Sequence, residues 1–277
     1  VLGFTMSIFG VEGILDEQGI NLDLASLLLI SSIIGFAGSF ISLIASKWIA
    51  KKTMGVTIIK EPKNSTEEWL IEVLKTISLK AEISTPELGI FKSNQLNAFA
   101  TGASRNKSLI ALSSGLINQM NKDEVEAVIA HEVSHVSSGD MITMSLIQGV
   151  VNTFVIFFSR IFGHIVDRII FKVQKGHGPA YFITSLIAQI LLSILANIIV
   201  MWFSRKREYA ADSSAANLVG SYKMISALKT LSLKSKTNLP DQMAAFGISG
   251  KEETSFKSLF SSHPSIESRI EALLKHS

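Results

Sequence analysis

Apolar positions along this chain fall into two kinds of pattern, long unbroken runs and short periodic stretches, and the two alternate. Leu24 to Ser46 is free of charged residues and long enough to cross hydrocarbon as a helix. It contains Gly35 and Gly38 and ends in Lys47, Trp48, Lys51 and Lys52, whereas residues 11–23 ahead of it carry Glu12, Asp16, Glu17 and Asp23 and no Lys or Arg. The positive-inside rule puts the Lys47 end in the cytoplasm. Residues 1–10 are apolar but too short to span, and are expected to be the tail of a truncated first span. Two further runs follow, Met141 to Ser159, which includes Gln148 and Asn152, and Ala180 to Ser204, which runs into Arg205, Lys206 and Arg207. The loop between them holds Arg168, Lys172 and Lys175 against Asp167, a positive loop on the outer side if both runs cross. The sequence therefore leaves open both a full hairpin and a part-way entry. His164 and His177 fall in this loop and are expected to be solvated.

Periodic stretches fill the rest. Ser65-Thr66-Glu67-Glu68 opens a helix with Trp69, Leu70, Val73, Leu74 and Ile77 at helical spacing. Residues 87–112 read as short strands broken by turns, among them 96–101 and 108–112. Asn121-Lys122-Asp123-Glu124 is a capping-box pattern, Gly139 is placed to end the helix it starts, and Asp140 can cap whatever begins at Met141. Beyond Arg207 the spacing predicts a helix over 208–218, a stop at Gly220, another helix from Ser221, a loop over 233–255, and a last helix after His263-Pro264-Ser265. The chain thus divides into a membrane region (1–52), a soluble part (53–140), a membrane-associated hairpin (141–204) and a second soluble part (205–277). The fold expected is a mainly α membrane protein with a small sheet in its soluble domain.

Composition sharpens this picture. Hydrophobic residues make up 47%, charged residues 18%, and mean hydropathy is +0.37, too apolar for an ordinary soluble domain. A formal charge of +3 gives no sign of a nucleic-acid surface. The chain has no cysteine, so disulfides and thiolate metal ligands are excluded and any metal is held by His and carboxylate. No phosphate-binding loop is present; Gly247-Ile248-Ser249-Gly250-Lys251-Glu252 lacks both its spacing and its hydroxyl, which argues against nucleotide use.

The chemistry concentrates at His131-Glu132-Val133-Ser134-His135. Residues four apart share a helix face, so both imidazoles can reach one zinc ion, and Glu132 is placed to take a proton from the attacking water. An amphipathic helix with two polar residues near a surface is the alternative. A catalytic zinc usually wants a third protein ligand. Glu208 is the candidate, in Arg207-Glu208-Tyr209-Ala210-Ala211-Asp212. Glu208 and Asp212 are also four apart, so one can bind the metal while the other holds the free nitrogen of a ligating histidine. Alone, that spacing also suits a solvated acidic face.

These residues resemble the HtpX-like membrane zinc metalloproteases, relatives of the CAAX prenyl endoprotease. The likeness rests on Asn97 to Gly102, on His131 to His135 with Gly139-Asp140, on Trp202 to Arg205, on Glu208 to Asp212, and on His263-Pro264 with Arg269. It implies a thermolysin-like (gluzincin) α+β catalytic domain in which His131, His135 and Glu208 bind one zinc and Glu132 is the base. It also implies a bacterial inner-membrane, stress-response protease, active on the cytoplasmic side and independent of ATP. Its implied substrates are misfolded membrane proteins, and it would cooperate with other membrane proteases in protein quality control. His263, ahead of a proline, is a candidate donor to the oxyanion or else simply a helix-start residue. Arg269 is left open, with a structural ion pair as one role. In the family, Asn97, Ala98, Phe99 and Ala100 resemble the edge strand that binds extended substrate; a plain core strand with Phe99 inward is the alternative. A zinc-dependent membrane chaperone or scaffold that binds unfolded chains without cutting them is the competing function.

Overall fold

The computed structural model describes residues 23–173, 176–237 and 261–276. Residues 1–10 and most of 233–255 lie outside that set. Contacts divide the rest into two compact units: residues up to Ser39 with Leu146–Asn197, and Phe40–Ser145 with residues from Ile198 onward.

Among the described residues, three helices are long and apolar enough to cross a membrane: α1 (Leu24–Thr53), α5 (Asp140–Ile165, continued by a π turn over Val166–Ile170) and α6 (Pro179–Val219). In the first unit, small residues set the helix spacing. A Cβ on Gly35 would stand 2.7 Å from the backbone nitrogen of Thr153, so only glycine permits that approach. The loop expected between the two later runs is shorter than its charges suggested. His164 belongs to α5 and is buried, because the helix continues past it; His177 is exposed, its ring 3.9 Å from that of Tyr181. Asp167, also buried, accepts from the backbone N–H of Gly178 at 2.9 Å and fastens the turn.

The second unit is built on a four-stranded sheet, β1 (Thr57–Ile58), β2 (Glu87–Phe91), β3 (Ala98–Gly102) and β4 (Ser108–Ser113), in the order β1-β2-β4-β3. β4 pairs parallel to β2 and antiparallel to β3, which leaves β3 at an edge. β4 is buried along its whole length and packs against α2 (Ser65–Lys80) and α4 (Lys122–Ser138). Leu70, Leu74 and Ile77 of α2, Val125, Ile129 and Val133 of α4, and Met224 and Leu228 of α7 (Ser221–Thr237) complete one core. The cap of α2 is Asn64, one residue earlier than expected, its side chain accepting from Glu67 N–H at 2.8 Å. Lys47, near the end of α1, pairs with Glu87 of β2 at 2.7 Å.

Two expected boundaries change. The helix over 208–218 is not separate, since α6 runs unbroken for 41 residues from Pro179 through that stretch. Proline occurs only at its first position and no glycine interrupts it, so nothing stops the helix before Gly220. α7 likewise extends to Thr237, into the stretch expected to be loop. Among the described residues, α3 (Ser114–Gln119) and α8 (Ile266–His276) complete the unit.

Candidate active site

The capping box forms as expected at the start of α4: Asn121 accepts from Glu124 N–H at 3.0 Å, and Glu124 accepts from Asn121 N–H at 3.1 Å. The Glu124 carboxylate also accepts from Ser226 and Thr230 of α7 at 2.9 and 2.7 Å, which locks α4 to its neighbour. At the other end Gly139 adopts a left-handed conformation, φ 70°, that a side chain would strain. The next helix starts directly after this turn, so Asp140 does not stand ahead of α5 as its cap, as expected. It is the first residue of that helix, and its Oδ2 lies 2.6 Å from His135 Nδ1.

His131 is held in the same way from α6, where Asp212 Oδ1 stands 3.0 Å from its Nδ1. With both Nδ1 atoms facing carboxylates, the two Nε2 atoms point at one spot, 3.1 Å apart. Glu208 closes the triangle: its oxygens lie 3.6 Å from His131 Nε2 and 3.4 Å from His135 Nε2. A tetrahedral zinc with ligands at about 2.0–2.1 Å sets them roughly 3.3 Å apart, so these separations suit such an ion. The group can hold a metal, its ligand atoms all within 4.8 Å of one another. A third ring of partners surrounds it. Arg269 Nε and Nη2 donate to both oxygens of Asp212 at 2.7 and 2.6 Å, and Nη1 is 3.3 Å from Glu208. Arg207 Nε stands 2.9 Å from Asp140 Oδ2. His263 Nδ1 lies 2.8 Å from Glu208 Oε2 on a side chain that is 63% exposed.

Burial depresses the basicity of both histidines, yet the carboxylates win. His135 is raised to about 9 by Asp140 and Glu208, and His131 is raised by Asp212 and Glu208. In the metal-free protein, protons therefore compete with an ion for these nitrogens.

The cluster opens on a cleft of about 530 Å³. Glu132, His131, Glu208, His263 and Arg269 lie on its lining together with Asn97 and Ala98, so elements far apart in the chain meet there. Phe99 and Ala100 do not line it. Ala98 and Ala100 pack toward the core, while Phe99 turns to the opposite face against Phe91, with ring centres 5.6 Å apart. Phe99 is therefore not inward, as the core-strand alternative required. Sequence reasoning missed Asp140 and Arg207 as partners of the cluster. The adjacent Gly-Asp pair after the histidine motif was a signal for the first. Arg207 was read only as part of a positive flank, but that flank divides: Lys206 lies 4.2 Å over the Trp202 ring and Arg205 donates to the Ser261 carbonyl at 2.9 Å.

A family model, Peptidase family M48, matches residues 64–277. The chain belongs to that family. Protease HtpX of Thioalkalivibrio sulfidiphilus is 56% identical over 274 residues, covering 99% of this chain and 93% of that protein. A Protease HtpX homolog of Nitrosomonas eutropha is 54% identical, covering 99% of this chain and 94% of its own length. The crystal structure of S. mikatae Ste24p shares the fold, with a TM-score of 0.64 at 19% identity; it matches 98% of this chain, which spans 64% of the Ste24p chain. As a family member with three apolar helices, the protein is a bacterial membrane metalloprotease.

Proposed function

We propose that this metalloprotease is an ATP-independent zinc endopeptidase of the inner membrane that cleaves misfolded or damaged membrane proteins on the cytoplasmic side. The meeting of His131, His135 and Glu208 at metal-ligand spacing, with Glu132 on the same cleft, carries the reading. His131, His135 and Glu208 would hold a zinc ion, which would supply Lewis acidity for the scissile carbonyl and for the attacking water near neutral pH. Glu132 takes the proton from the attacking water and returns it to the leaving amine. Asp140 and Asp212 keep the two imidazoles in the tautomer that directs Nε2 inward. His263, with its ring on the cleft, exchanges Glu208 for the developing oxyanion. The edge position of β3, with Asn97 just ahead of it and Ala98, Phe99 and Ala100 as its first residues, suits binding of an extended chain through its backbone, which favours unfolded segments over any one sequence. Charge supports the cytoplasmic side, since both the Lys47–Lys52 and the Arg205–Arg207 clusters flank apolar runs.

The test is proteolysis of casein by purified protein in ATP-free buffer, wild type against Glu132→Gln. Cleavage should proceed without nucleotide in the wild type and fall about 10²–10⁴-fold in the variant, with zinc content unchanged. Undiminished cleavage by Glu132→Gln would remove this residue from the mechanism and return the non-cleaving chaperone to consideration.

A further inference from the structure

Ser185, Gln189, Ser193 and Asn197 recur at every fourth position of α6, inside its uncharged run. All of them belong to the first unit. An α-helix turns about 100° per residue, so each step carries this stripe about 40° around the helix. It starts under α5 and winds away from it. Ser185 is buried, its Oγ seated where a Cβ on Gly163 of α5 would stand. Gln189 is half-buried, and Ser193 and Asn197 are exposed. In hydrocarbon an amide is costly unless it is paired, and Asn lacks the long stem by which Lys or Arg carries a polar end to the surface. α5 shows the paired arrangement, with Gln148 Nε2 donating to Asn152 Oδ1 at 2.8 Å. On α6 the amides stand open. Among the described residues, none of Gln189, Ser193 and Asn197 has a side-chain hydrogen-bond partner.

We propose that this flank of α6 is a dimer seam within the membrane, on which a second copy of the chain lays its own α6. Small and polar residues at four-residue spacing are the pattern of right-handed helix pairs, which cross at about −40° and bring their backbones close. Two copies inserted the same way into one membrane are related by a two-fold axis along its normal. Their α6 helices then run parallel, and each residue of the stripe meets its own counterpart. An amide both donates and accepts, so Asn197 pairs with Asn197 across such an axis, and Gln189 pairs with Gln189. Ser193, between them, is small enough for the helices to approach. A partner of another sequence would have to offer amides at both heights, whereas a second copy offers them by symmetry. The inference does not rest on the peptidase reading, since its readouts are cross-linking and association.

The chain has no cysteine, so single substitutions report contacts cleanly. In membranes holding the full chain as Ser193→Cys or Asn197→Cys, catalysed oxidation should give a disulfide-linked product of dimer mass. Leu191→Cys and Leu195→Cys, exposed on the other side of the helix, should give none under the same conditions. In mild detergent the wild type should sediment as a dimer. Asn197→Leu should weaken that association about tenfold, and Asn197→Gln, which restores the amide, should recover most of it. Circular dichroism and zinc content establish that each variant is folded; if Asn197→Leu fails that check, the cysteine variants decide alone. A monomeric wild type, equal cross-linking from both sides of the helix, or undiminished association of folded Asn197→Leu overturns the seam. A cross-linked product of any mass other than the dimer's also overturns it, and gives the flank to a different protein.

Discussion

Asp140 Oδ2 holds two partners at once, His135 Nδ1 at 2.6 Å and Arg207 Nε at 2.9 Å. The first contact fixes the imidazole, and the second fixes the carboxylate that fixes the imidazole. Removing such a partner commonly costs 10- to 100-fold in metal affinity. Asp140→Asn, which retains shape and loses charge, should therefore bind zinc about 10- to 100-fold more weakly, measured by chelator competition on the purified protein. Arg207→Gln should fall in the same direction by a smaller factor. Because Arg207 reaches His135 only through Asp140, the double variant should be no weaker than Asp140→Asn alone. Additive losses would show that Arg207 acts on the cluster by some other route. This layer was the least legible part of the sequence. The histidine pair and Glu132 announce themselves because their spacing is local and helical. Asp140 depends on the left-handed turn at Gly139, and Arg269 on a contact with Asp212 from a different helix, so the partner of each is fixed only once the chain is folded.

α6 does at the level of an element what the ligands do at the level of residues. It emerges from an apolar stretch and continues without a break into Glu208 and Asp212. The rotation of Glu208, the proposed third ligand, is therefore set by a rod rather than by a loop. A proline just ahead of the ligand tests this, because it removes one backbone bond and clashes with the preceding turn, costing a helix interior about 3 kcal/mol. Ser204→Pro should lower zinc content well below one ion per chain, whereas Ser204→Ala should keep it; equal zinc in both would mean the local turn around Glu208 is positioned by its packing alone. The elements themselves were largely legible. Charge-free runs gave three apolar helices, and the capping box and Gly139 marked both ends of α4. The errors share one cause. The basic cluster at 205–207 was taken to separate two helices, and polar composition around His164 and over 233–237 to end them, but helix propensity carries all three stretches on, and only glycine or proline would have stopped them. β1, with two residues, is too short to leave a pattern of alternation.

At the scale of the molecule, the topology proposed from charge is open to direct labelling, which a cysteine-free chain makes unambiguous. A cysteine at Lys63 should be shielded from an impermeant thiol reagent in intact cells and react in inverted vesicles, and one at Gly19 should do the opposite; reaction at Lys63 in unbroken cells would reverse the orientation. The metal cluster has a further consequence at this scale. His131 and His135 precede the second apolar helix in the chain, and Glu208 lies in the third, beyond its apolar stretch. An ion shared by the three is thus a clasp that closes a long loop of chain, and removing it withdraws that clasp's share of the stability, by mass action on the metal, and leaves the common core to hold the two soluble stretches. Chelated Glu132→Gln protein should accordingly be cut by added trypsin faster than the zinc-loaded form, with equal rates counting against the clasp. In a cell, a copy that lost its ion would present loosened chain to neighbours that kept theirs, so scarcity of zinc would thin the population of the protease through its own activity.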